Sequence, residues 1–117
     1  MNTEMPADFA VSVERAGDAY VVAPTGELDL ETVEEVRAAL DARPPDCHAL
    51  ALDLRGLTFC DTSGMRLVVE MTQRAEEHGL RFAVVRGCDD VQRIFGLAKL
   101  DGRLPFVDDP SEIAGRP

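Results

Sequence analysis

LDLRGLTFCDTSGMRLVVEM, residues 52–71, passes from one apolar run into another of different period, and Asp61, Thr62, Ser63 and Gly64 stand at the join. The first run belongs to HALALDLRG (48–56), a short apolar segment closed by an acid, which suits a buried strand better than a helix of so few residues. GLTFCD (56–61) reads as a loop. From Ser63 to His78 the periodicity becomes helical: Met65, Val68, Val69, Thr72 and Ala75 form one stripe at steps of three and four. Leu67 and Met71 lie off that stripe, so both are expected to be partly exposed. Gly79 stops the helix, and His78 is favourably placed at the negative end of its dipole.

The same alternation extends in both directions. FAVSVER (9–15) and AYVVAPTG (19–26), joined by a turn at Ala16–Asp18, predict an opening β-hairpin. In ELDLETVEEVRAALDARPP (27–45), Val33, Val36 and Leu40 recur at helical spacing, Asp29 can cap the first turn, and Pro44 and Pro45 end the helix. Downstream come a strand in LRFAVVRG (80–87), a short helix in CDDVQRIFGLA (88–98) capped by Asp89 or Asp90, and an edge-like strand in GRLPFV (102–107). Strands alternating with helices after a hairpin imply an α/β domain with a mixed, mostly parallel sheet built by right-handed crossovers. One domain over 9–108 is expected, with 1–8 and 109–117 as short flexible termini, the latter long enough for one helical turn.

Composition narrows the function classes. A formal net charge of −10 with a single lysine, Lys99, argues against nucleic-acid binding, which needs clustered cations, and favours a basic protein face as partner. No run approaches the ~20 apolar residues of a membrane helix. MNTEMPADFA (1–10) has neither the basic start nor the apolar stretch of an export signal, so the cytoplasm is the expected location. Cys47, Cys60 and Cys88 are odd in number and lack C-x-x-C or His spacing, which predicts reduced thiols and no metal site. Glycine loops of the nucleotide-binding types are absent from the sequence, and no cofactor is expected.

The junction at residues 61–64 is the candidate site, since ligands and partners of open α/β folds meet them beyond the carboxyl ends of the strands. An Asp or Thr there serves, at its simplest, as a helix cap contributing ~1 kcal/mol. The segment supplies three capping types in succession, followed by Gly64, which costs ~1 kcal/mol against Ala in a helix and implies close approach by another backbone or an enzyme's active site. A phosphate on such a hydroxyl would meet unpaired backbone N–H groups and the positive end of the helix dipole. Hydrolase chemistry through Ser63 lacks a nucleophile elbow, and both His48 and His78 are distant in sequence. Asp53, at a strand end, reads as a loop anchor rather than a receiver-type phosphoacceptor.

FCDTSGMRLVVEM (59–71) resembles the D-S-S/T-G-L signature of STAS domains, in particular of bacterial anti-sigma-factor antagonists. VVAPTGELDLETVEEVRAAL (21–40) resembles the family's second signature, a strand followed by Gly-Glu-Leu/Ile-Asp and a helix, and residues 82–113 resemble its last third. The resemblance implies a binding module, not an enzyme. In that family the unphosphorylated antagonist binds an anti-sigma serine/threonine kinase of the histidine-kinase-like ATPase fold and so frees a sigma factor. Phosphorylation of the residue after the signature Asp ends the complex, and a metal-dependent phosphatase restores it. Carried onto this chain, Thr62 is the phosphoacceptor with Ser63 as second choice. Asp61 is the signature acid, and Gly26, Glu27 and Asp29 form the neighbouring partner-facing loop. Gly64, Met65, Arg66, Leu67 and Met71 complete the expected contact surface, Met65 and Arg66 standing where the family frequently has Leu-Gly. The free chain is expected to be a monomer. The alternative implied is a STAS scaffold or assembly subunit that uses the same surface without being phosphorylated.

Overall fold

The computed structural model describes residues 9–113. Strand β1 (Ala10–Ala16) turns through Gly17, whose φ of 61° lies in the left-handed region that favours glycine, into the antiparallel strand β2 (Ala19–Leu28). Helix α1 (Val33–Asp41), strands β3 (Ala49–Asp53) and β4 (Leu57–Cys60), helix α2 (Thr62–Glu77), strand β5 (Arg81–Val85), helix α3 (Asp89–Leu97), strand β6 (Phe106–Val107) and a 3-10 turn at Pro110–Glu112 follow. Among the described residues the strand order is β1-β2-β3-β5-β6, with β4 paired only to β2, and every pairing after the hairpin is parallel.

From β2 onward the main path advances in one direction across the sheet. Right-handed crossovers taken in one direction lay their helices on one face, and the core reflects this. Val22, Leu50, Leu52 and Val84 pack with Val36 and Leu40 of α1, Leu67 and Val68 of α2, and Val91 and Phe95 of α3. On the opposite face Ala19, Val21, Ala49, Ala51 and Ala83 pack with Ile113. Arg81 anchors that segment, donating to the Ile113 carbonyl at 3.1 Å and to Asp18 Oδ2 at 2.7 Å.

Two elements near the junction differ from the sequence reading. Residues 57–60, expected as loop, form β4, and β2 runs two residues beyond Gly26 to meet it. The chain from β3 to β4 is in effect one strand interrupted at Leu54–Gly56. There the Asp53 carboxylate accepts the Arg55 backbone N–H at 3.0 Å and its guanidinium at 2.9–3.3 Å, the loop-anchor role. Helix α2 also faces the core differently: Gly64, Leu67, Val68, Met71 and Ala75 are buried, whereas Met65, Val69 and Thr72 are only partly so.

Smaller differences follow local hydrogen bonding. Cys88, not Asp89 or Asp90, holds the N-cap position of α3 without a side-chain cap; Gln92 Oε1 reaches back to the Gly87 N–H at 2.7 Å. The last strand is confined to Phe106 and Val107. Residues 109–113, expected within a flexible terminus, are held by a capping box between Asp109 and Glu112 and by burial of Ile113. The termini expected at 1–8 and the remainder at 114–117 lie outside the described residues.

Candidate functional site

The β2–β4 pairing places the two sequence signatures side by side. Gly26 sits opposite Leu57, Glu27 opposite Phe59 and Leu28 opposite Cys60, and the Asp61 N–H donates to the Leu28 carbonyl at 3.1 Å. Thr58 Oγ1 donates to the Gly26 carbonyl at 3.2 Å, and Gly26 itself holds φ 102°. Past Leu28 the chain turns sharply. Asp29 Oδ1 accepts the N–H groups of Glu31 (3.0 Å) and Thr32 (3.2 Å), while Thr32 Oγ1 accepts the Asp29 N–H at 3.0 Å and donates to the Glu27 carbonyl at 2.8 Å. This reciprocal arrangement fixes the loop before α1, but the N-cap of α1 is Thr32 and makes no side-chain cap, so Asp29 holds the preceding turn rather than capping the first turn of the helix as expected. Glu27, Asp29, Glu31, Thr32 and Thr58 line a groove of about 520 Å³ beside it.

Across from this loop, Asp61 takes the extended backbone of an N-cap (φ −103°, ψ −168°), and its Oδ1 accepts the N–H groups of Ser63 at 2.8 Å and Gly64 at 3.4 Å. The Met65 N–H bonds the Asp61 carbonyl at 3.1 Å. The N–H groups of Ser63, Gly64 and Met65 are therefore engaged, and a phosphate would not find these three donors open as expected from sequence. Thr62, the first helical residue, is exposed; Ser63 is half-buried. Arg66 is exposed on the same helix and, among the described residues, holds no ion pair.

Three residues expected at the contact surface belong instead to the core. Leu67 is 1% and Met71 5% exposed. Gly64 is buried, and a Cβ there would lie 2.6 Å from Cys60 Sγ and 2.8 Å from Leu28 Cγ. Its small size lets α2 sit down on β2 and β4, an internal approach rather than one by a partner. Met65 is half-buried and packs against the main core. Beneath the junction, burial and then the adjacent Asp61 charge push the Cys60 thiol up to about 12, so it is neutral at physiological pH.

The sequence reading missed an apolar surface next to the junction. Phe59 on β4 and Leu97 on α3 are 46% and 74% exposed, and with Cys60 and Ile94 they wall a groove of about 370 Å³. The only signal was their position: Phe59 stands two residues before Asp61, and Leu97 falls off the Val91–Phe95 core face of α3. No histidine approaches the hydroxyls. His78 lies at the far end of α2, roughly 24 Å away at 1.5 Å per residue, with its Nδ1 2.8 Å from the Arg74 carbonyl. His48 stands at the start of β3, its N–H bonded to Asp18.

The surface thus assembled is a fixed acidic loop, an exposed hydroxyl at a capped helix start, and an apolar groove along the intervening strand. Known proteins share the fold and the sequence pattern of this chain. A curated relative from Paenibacillus polymyxa, an anti-sigma F factor antagonist, is 26% identical over 103 residues, covering 86% of this chain and 88% of its own. An anti-sigma factor antagonist from Mycobacterium paratuberculosis superposes with a TM-score of 0.80 at 23% identity, covering 94% of each chain. SpoIIAA, an anti-sigma factor antagonist and Bacillus cell fate determinant, shares the fold in its unphosphorylated form (TM-score 0.69, 24% identity, 88% of this chain and 90% of that one). Its phosphorylated form does so too (TM-score 0.66, 23% identity, 88% and 94%). Residues 11–108 match the family described as "Mlab, STAS domain", and the chain belongs to the STAS domain family.

Proposed function

We propose that this chain is an anti-sigma-factor antagonist switched by phosphorylation at Thr62. In the unphosphorylated state it binds an anti-sigma serine/threonine kinase of the histidine-kinase-like ATPase fold and so frees a sigma factor; a metal-dependent serine/threonine phosphatase resets it. The observation that carries the reading is the exposed Thr62 hydroxyl, directly after the signature Asp61 and beside the loop of Gly26, Glu27 and Asp29. Family membership and the names of the relatives support it. Exposure favours Thr62 over the half-buried Ser63 as acceptor.

The chemistry of the switch is local. The kinase transfers the γ-phosphoryl group of ATP to Thr62 Oγ1: the new O–P bond forms as the bond to ADP breaks, and the hydroxyl proton leaves to a base on the kinase. The product carries about −1.5 to −2 additional charges, beside Asp61, Glu27 and Asp29 on a chain already at −10. Within an interface that is a steric insertion and an added negative charge together. A penalty of ~3 kcal/mol weakens binding more than a hundredfold. The apolar share of the contact falls to Phe59 and Leu97, since Leu67 and Met71 are buried.

The test is a paired pull-down from a host lysate with the wild-type chain and Thr62→Glu. Wild type alone should retain a histidine-kinase-like ATPase, identified by mass spectrometry. Equal retention by both, or no kinase with wild type, contradicts the phospho-switch and leaves the constitutive scaffold.

A further inference from the structure

Thr62 opens α2 and Arg66 follows four residues on, so their side chains are neighbours on one exposed face, with Cβ atoms about 5–6 Å apart. Helical side chains lean toward the N-terminus, which carries the Arg66 guanidinium back over the first turn. An anion preceding a cation at this spacing is also the favourable order.

Arg66 has no ion-pair or hydrogen-bond partner among the described residues. Of the described arginines, Arg15, Arg37, Arg55, Arg74, Arg81, Arg86 and Arg93 pair with carboxylates. Arg43 bonds the carbonyls of Pro44 and Cys47. Only Arg66 and Arg103 hold neither. The carboxylate within reach on the same helix, Glu70, is occupied by Arg37 and, at 3.7 Å, by Arg74. A dianion on Thr62 would meet a complementary situation. The N–H groups of Ser63, Gly64 and Met65 are already engaged by Asp61, which leaves the Thr62 N–H as the one first-turn backbone donor without a partner among the described residues and no second one to pair a dianion. The free cation is Arg66.

We propose that Arg66 is the phosphate-positioning residue of the switch: once Thr62 is phosphorylated, the guanidinium closes as a fork on two phosphate oxygens and holds the group against its own helix. This rests on Thr62 being the modified hydroxyl. Arg66 stands where the family pattern frequently has glycine, so the clamp is a feature of this chain. Phosphorylation then acts twice on a partner, inserting a bulky anion and withdrawing a cation that the unphosphorylated surface presents.

The experiment needs no kinase. Phosphothreonine is installed at position 62 by semisynthesis, and the arginine Nε–Hε resonances are compared with those of the unmodified chain. Arg66 should shift downfield and its Nε–Hε exchange with water slow by about two- to fivefold. Arg103 serves as the internal reference and should not move. In an Arg66→Lys chain, which keeps the charge and loses the fork, the 31P signal should sharpen toward that of a mobile phosphate. An Arg66 signal that moves no more than that of Arg103 overturns the proposal. If the kinase nevertheless releases that phosphorylated protein, the antagonist reading stands and the clamp alone is lost.

Discussion

Adding one carbon at Gly64 would bring it within 2.6 Å of Cys60 Sγ and 2.8 Å of Leu28 Cγ, both on strands that cannot retreat without breaking the β2–β4 pairing. Overpacking of this kind costs typically about 1–3 kcal/mol, only partly offset by the ~1 kcal/mol helix preference of Ala over Gly. Gly64→Ala should therefore lower the thermal midpoint by several degrees, measured by circular dichroism; an unchanged or raised midpoint would mean that the helix seats more loosely than described. The same residue shows what one sequence conceals. A glycine in a first turn signals close approach, but whether a partner or the chain's own β4 does the approaching is decided in three dimensions. Leu67 and Met71 make the same point. The stripe through Met65 and Val69 and the stripe through Gly64, Leu67 and Met71 are both periodic, and a hydrophobicity pattern gives no weight to glycine as a contact point. Thr62, Asp61 and the Gly26–Asp29 loop stand out in the sequence because they are chemical groups in a recognisable order, and the β2–β4 pairing brings them side by side.

At the level of elements, the cap of α2 couples the fold to the site. Asp61 Oδ1 satisfies two N–H groups of the first turn and its backbone N–H ties the turn to Leu28. Asp61→Ala should cost about 1 kcal/mol, within the 0.5–2 kcal/mol range of lost caps, measurable by urea denaturation. Hydrogen exchange should rise at Ser63 and Gly64 before it rises elsewhere in α2. Uniform protection along the helix would contradict the capping role. Strand β4 escaped the sequence reading because it is four residues long, begins after Gly56, and among the described residues pairs with β2 alone. Its pairing depends on the extension of β2 through Glu27 and Leu28, two residues that look as if they begin α1. The helices and the longer strands were legible because their periods persist over several turns or pairs.

The whole molecule explains why the site lies where it does. Parallel strands advancing in one direction stack α1, α2 and α3 on one face, and the strand-to-helix junctions gather at one end. Both signatures sit at such junctions. Among the described residues no helix is long and apolar enough to cross a membrane, and no cluster of three His, Cys, Asp or Glu side chains is placed to hold a metal ion. The formal charge of −10 sets the long-range field, so association with a basic partner face should slow as salt shortens the screening length toward ~8 Å at physiological ionic strength. Added charge at Thr62 acts through that same surface. The most direct measurement is calorimetric titration of the recovered kinase with the unmodified chain and with the chain carrying phosphothreonine at position 62. An affinity at least about a hundredfold weaker for the phosphorylated chain, equivalent to ~3 kcal/mol, is the predicted result; equal affinities would contradict the account.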